Sequence, residues 1–186
     1  MSHALQPERH VLRREATVGP PDWKPPCSRT IAELLATGPP LSPRQAAILV
    51  RDLARAVGAL HRAGAAHGAL SARTVAVTVR GRARLLDPTE SNGDAARAVP
   101  HPGKTPDPAL VRRDVRGLGD LLLEMVSPLS ARGSLAHGPA RAPALPPALG
   151  RIRGLTLDGG VAGFRSCDAL SRALDVYLLA SRVGLA

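Results

Sequence analysis

One stretch constrains the fold more than any other: an amphipathic segment that begins at Ser42 and whose hydrophobic period changes at Thr74. The Ser42 hydroxyl can accept from the free N–H groups of a first helical turn, Pro43 suits the first helical position, and Gln45 completes a capping box. Ala46, Leu49, Val50, Leu53, Val57 and Leu60 then recur at three- and four-residue steps, which puts them in one stripe of a long helix. Arg51, Asp52, Arg55 and Arg62 fall largely off that stripe, and Gly64 suits the left-handed position just past a helix end. In Thr74–Val79 the period drops to two, with Val75, Val77 and Val79 on one face and Thr74, Ala76 and Thr78 on the other. Arg80-Gly81 supplies a turn and ARLL returns, so a small β-hairpin follows the longest helix.

The flanks extend this into a mainly helical α+β plan. TIAELLATG opens with Thr30 three residues before Glu33 and stops at Gly38, a short capped helix. Ala109–Val126 carries Val115, Leu118, Leu121, Leu122 and Met125 on one side, and Ala148–Leu157 and Asp168–Ser181 read as two further amphipathic helices. Residues 1–28, with GPPDWKPP, read as an extended or disordered N-terminal arm ahead of one folded domain at 29–186. Residues 88–108 and 127–147 are rich in Pro, Gly and polar residues and read as loops.

Composition removes several function classes. Two cysteines, Cys27 and Cys167, cannot build a disulfide scaffold or a four-cysteine zinc site, and His61 and His67 lack a third ligand. No apolar run reaches the length of a membrane span, and the N-terminal residues lack the apolar core of a secretory signal, so a cytoplasmic setting is expected. The formal charge of +10 invites a nucleic-acid reading. However, one Trp, one Tyr and one Phe supply few stacking platforms, and no zinc-finger, RNP or basic-zipper pattern is present. Specific nucleic-acid binding is therefore not expected.

Five motifs in order resemble the C-terminal lobe of the protein kinase superfamily. LHRAGAAHGALSARTVAVTV (60–79) is similar to the end of the long helix, the catalytic loop and the strand after it. RLLDPT (84–89) resembles the strand leading to the metal-binding Asp, and TPDP (105–108) resembles the motif that closes the activation segment. DVRGLGDLLLEM (114–125) resembles the start of the central helix, and FRSCDALSRAL resembles the segment before the last helix, so the likeness spans roughly residues 29–181. The resemblance implies that Asp114 accepts hydrogen bonds from catalytic-loop backbone. It also implies that His67 packs beneath the loop near Asp87, and that Asp107 and Arg165 pair to pin the segment between them.

Departures from the family pattern set the functional expectation. In H-R-D-L-x-x-x-N the Asp orients and deprotonates the attacking hydroxyl and the Asn holds magnesium. This chain reads His67-Gly68-Ala69-Leu70-Ser71-Ala72-Arg73-Thr74, so Ala69 stands at the base, Ser71 at the usual lysine and Thr74 at the magnesium ligand. Loss of the base alone costs about 10²–10⁴ in rate. Residues 1–28 contain no G-x-G-x-x-G, and neither Lys24 nor Lys104 has the context of the catalytic lysine, so the upper lobe is expected to be absent. Asp87 is the one retained catalytic-type residue, a residual metal ligand or simply the Asp-Pro turn that ends the hairpin.

The expectation is a catalytically inactive, kinase-like regulatory module with no cofactor, ATP and Mg²⁺ included, and with a protein partner or a second copy of itself. Non-catalytic kinase C-lobe domains of cytoskeletal regulators open with a helix that TIAELLATGPPLSPRQAAILV resembles. The competing reading is a degenerate Ser/Thr kinase or aminoglycoside-phosphotransferase-like enzyme with residual ATP binding, completed by another chain. Without an upper lobe, Val75, Val77 and Val79 or Leu85-Leu86 would form an exposed apolar patch unless Trp23 and the arm cover it.

Overall fold

The computed structural model describes residues 29–86, 105–127, 145–159 and 162–183. Lys24, Trp23, Asp87 and Lys104, the 1–28 arm and most of both expected loops lie outside these residues. The described residues fold mainly as helix: α1 (Ile31–Thr37), α2 (Pro43–Arg62), α3 (Pro108–Val126), α4 (Pro147–Leu157) and α5 (Cys167–Ala180). A small sheet of β1 (Arg29–Thr30), β2 (Val75–Val77) and β3 (Ala83–Leu85) completes them. None of these helices is long and apolar enough to cross a membrane.

Local chemistry sets the helix ends. Thr30 and Ser42 each accept from the backbone N–H three residues on, and Glu33 and Gln45 reciprocate, so both capping boxes close. Ser166 caps α5 through the N–H of Ala169. The α2 stripe is buried at Ala46, Leu49, Val50, Leu53 and Val57, with Leu60 half-buried at its end. Each larger side chain contributes about 1.5–3 kcal/mol by leaving water.

That stripe packs chiefly against α5, through Leu170, Leu174, Tyr177 and Leu178, and against α3, through Val115, Leu118, Leu122 and Met125. α4 packs on α3 and also on α5, with Leu149 and Ile152 buried. At the α3–α4 contact Gly119 allows close approach: a Cβ built on it would fall 1.8 Å from Thr156 Oγ1. The arginines off the α2 stripe cross the seam to α5. Arg55 holds Asp175 through 2.8 and 3.0 Å bonds, and Arg62 holds Asp168 at 2.5 Å. Their exposure keeps each pair to about 1 kcal/mol or less.

The sheet differs from the expected two-stranded hairpin in two ways. Its order is β1-β2-β3, with Arg29 opposite Val77 and Thr30 opposite Ala76, so β2 is central and both flanking pairs are antiparallel. Two residues before a capped helix carry no periodicity, which is why this strand escapes a pattern reading. Secondly, β2 ends at Val77: Gly81 N–H donates to Thr78 O and Thr78 N–H to Arg82 O, so Val79 sits in the turn and is 77% exposed.

The anticipated exposed patch is not there. Val75 is fully buried, Val77, Leu85 and Leu86 are half-buried, and even Ala76, on the opposite face, is buried. α2 packs on β3, α1 packs on β2, and Ala32 N–H donates to Ala72 O at 2.9 Å, so α1 and α2 contribute to that burial; the expected cover by Trp23 and the arm lies outside the described residues.

Candidate functional site

Residues 65–74 form an irregular loop between α2 and β2, and its geometry is set by Asp114 in the second turn of α3. The Asp114 carboxylate, 1% exposed as a residue, accepts the backbone N–H of His67 at 2.9 Å and that of Gly68 at 2.7 Å. Gly68 adopts φ +70°, a left-handed conformation available to glycine at little cost, which lets two successive N–H groups converge on one side chain. His61 Nε2 lies 2.8 Å from the same carboxylate and must donate, because an ionised carboxylate only accepts. Three donors thus converge on one buried anion, the compensation that a buried charge requires.

His67 is buried below the loop with both ring nitrogens engaged. Nε2 donates to Leu86 O at 3.3 Å, and Nδ1 accepts from Ala69 N–H at 3.4 Å. A single neutral tautomer satisfies both contacts, which leaves neither nitrogen for a substrate or metal. Thr74 is equally committed: its Oγ1 accepts from Ser71 N–H at 2.9 Å and lies 3.0 Å from Ala69 O and 3.2 Å from Ser71 O. The hydroxyl closes the loop on itself. Ala69 is half-buried and offers no polar side-chain atom, and Ser71 is exposed, with its hydroxyl 3.4 Å from Thr74 Oγ1. No group of three or more His, Cys, Asp or Glu side chains suited to a metal ion occurs among the described residues.

Asp107 and Arg165 do not form the expected ion pair among the described contacts. Asp107 Oδ1 instead accepts from Ala109 N–H at 2.8 Å and caps α3. A carboxylate one methylene shorter than Glu, placed at a helix start, is satisfied by the nearest free N–H. Arg165 is left on the rim of a cavity of about 720 Å³ between the end of α2, the start of α3 and the α4–α5 connection.

His61 is the site residue that sequence reasoning missed, having weighed it only as a metal ligand. Its signal was available: it stands four residues after Val57 on the α2 stripe, and a polar residue continuing a buried stripe needs a buried partner. Cys167, wholly buried on the floor of the cavity, is no nucleophile. Burial first, then the carboxylates of Asp114 and Asp168, push its thiol up to about 12, so the reactive thiolate is absent at neutral pH. We expect iodoacetamide at pH 8 to leave Cys167 unmodified in the folded protein and to alkylate it once urea unfolds the chain. The raised value also has a stability consequence. The folded state holds this proton more tightly than the unfolded one, so the contribution is complete below about pH 9 and is lost as pH rises towards 12.

Comparison with protein-family models and with curated proteins finds no match to this chain.

Proposed function

We propose that this chain is a non-catalytic, protein-kinase-like module that works by binding another protein in a cytoplasmic setting. The observation that carries the reading is the state of the 67–74 loop. Its scaffold contacts, Asp114 to the His67 and Gly68 amides, are made. The positions that the resemblance assigns to chemistry hold Ala69, which has no proton acceptor, and Thr74, whose hydroxyl is spent inside the loop. Phosphoryl transfer depends on positioned charge around the nucleophile and the metal ions. A methyl group at the base position supplies none, so the loop serves the shape of the surface rather than a reaction.

Thermal unfolding in a Mg-ATP titration tests this. Any ligand that binds only the folded state raises apparent stability, by about 2.7 kcal/mol at a hundred times its dissociation constant. The expected result is an unchanged midpoint up to ~5 mM Mg-ATP, a concentration that brings even weak binding into view. A saturable rise would overturn the reading and favour the degenerate phosphotransferase.

A further inference from the structure

Arg165, freed from Asp107, belongs to a second site whose logic is independent of the nucleotide question. The cavity of about 720 Å³ has an apolar interior of Pro106, Pro108, Val111 and Phe164. That volume lies within the range of small-molecule pockets, which pair apolar walls with a few polar groups that orient the ligand. Cys167, itself wholly buried, also lines the cavity.

The charges on the rim are unequal in their engagement. Arg62 is paired with Asp168, and Asp158 is itself engaged. His61 is tied to Asp114. Arg112 and Arg165 also line the cavity, and neither has an ion-pair or hydrogen-bond partner among the described residues. Two uncommitted guanidinium groups beside an apolar hollow favour a ligand that brings one anionic head and one apolar body. A guanidinium binds a carboxylate through two parallel N–H···O bonds, with geometric selectivity that a neutral amide cannot match.

We propose that this cavity binds a small amphipathic carboxylic acid, its apolar body against Phe164, Val111 and the two prolines and its carboxylate held by Arg112 and Arg165. The acid is a free small molecule: three short chain segments wall a compact hollow, which suits a compact ligand. None of the residues lining the cavity belongs to the 67–74 loop, so a ligand here would act on the module without using the degenerate loop.

Isothermal titration with 4-phenylbutyrate, its uncharged analogue 4-phenylbutanamide and the capped peptide acetyl-Ala-Phe-Glu-Ala-amide provides the test. The expected result is saturable binding of the acid, with the amide weaker by about tenfold or more, a difference of about 1.4 kcal/mol. The double variant R112A/R165A should reduce the acid to the level of the amide. Both arginines are exposed, so its unfolding midpoint should match that of the parent. Equal binding of acid and amide, full affinity in the double variant, or no saturable binding of the acid to ~10 mM would overturn the proposal. Tighter binding of the capped peptide than of the free acid would overturn the small-molecule assignment.

Discussion

Replacing Asp114 by Ala is expected to destabilise the protein by about 3–5 kcal/mol, the range for breaking a buried charged network. The substitution orphans the N–H groups of His67 and Gly68 and the Nε2–H of His61 together. Each buried donor left without a partner costs about 1–3 kcal/mol. Asp114→Asn should fall between the parent and the alanine variant, because its one carbonyl oxygen can serve some but not all three donors and its amide would oppose the others. Urea unfolding monitored by circular dichroism reads both. A loss under 1 kcal/mol for the alanine variant would mean that the loop does not depend on this carboxylate. His61→Ala should cost less than Asp114→Ala, since it leaves the two backbone donors satisfied.

The second large effect is expected at Gly119. Alanine normally favours a helix over glycine by about 1 kcal/mol, so propensity alone predicts stabilisation by Gly119→Ala. Packing opposes it. The added Cβ would lie 1.8 Å from Thr156 Oγ1 and 2.7 Å from its Cβ, distances that force α3 and α4 apart. Overpacking of this kind costs about 1–3 kcal/mol and occasionally more, which outweighs the propensity gain. Thr156→Ala in the same chain should restore only part of the loss, because it removes the hydroxyl and leaves the 2.7 Å clash with Cβ. Thr156→Gly should restore more. A stabilised Gly119→Ala variant would show that α4 docks more loosely than the structure places it.

These two residues mark what could and could not be read from the sequence. Helix ends were legible at Thr30 and Ser42, whose hydroxyls accept from a neighbouring backbone N–H, and at Gly38, whose own N–H donates to Leu34 O, because those contacts span three or four residues; the caps at Asp107 and Ser166 were not read. The core stripes of α2 and α3 were legible for the same reason, through the helical period. Contacts between distant segments were not. The β1–β2 pairing, the Arg55–Asp175 and Arg62–Asp168 links and the Gly119–Thr156 approach all join residues far apart in the chain, and no local spacing encodes them.

The site divides along the same line. The short motif HGALSART led to the loop, and the resemblance led to Asp114. That resemblance also suggested an Asp107–Arg165 pair, and here it misled. A shorter carboxylate at a helix start found Ala109 N–H before it could reach an arginine fifty-eight residues on. The positive charge, weighed in the sequence only for nucleic-acid binding, has local uses in the structure: part of it stitches α2 to α5 through Arg55 and Arg62, and part of it stands uncommitted at the cavity.

On the function proposed here, residues 67–74 form a closed scaffold rather than a reaction centre. Amide hydrogen exchange of His67, Gly68 and Ser71, followed with and without Mg-ATP, reads this loop residue by residue. Slow exchange is expected at all three, because Asp114 and Thr74 hold their N–H groups, with the same protection when Mg-ATP is added. Rapid exchange at these amides in the parent protein, or a change in their protection on adding Mg-ATP, would contradict it.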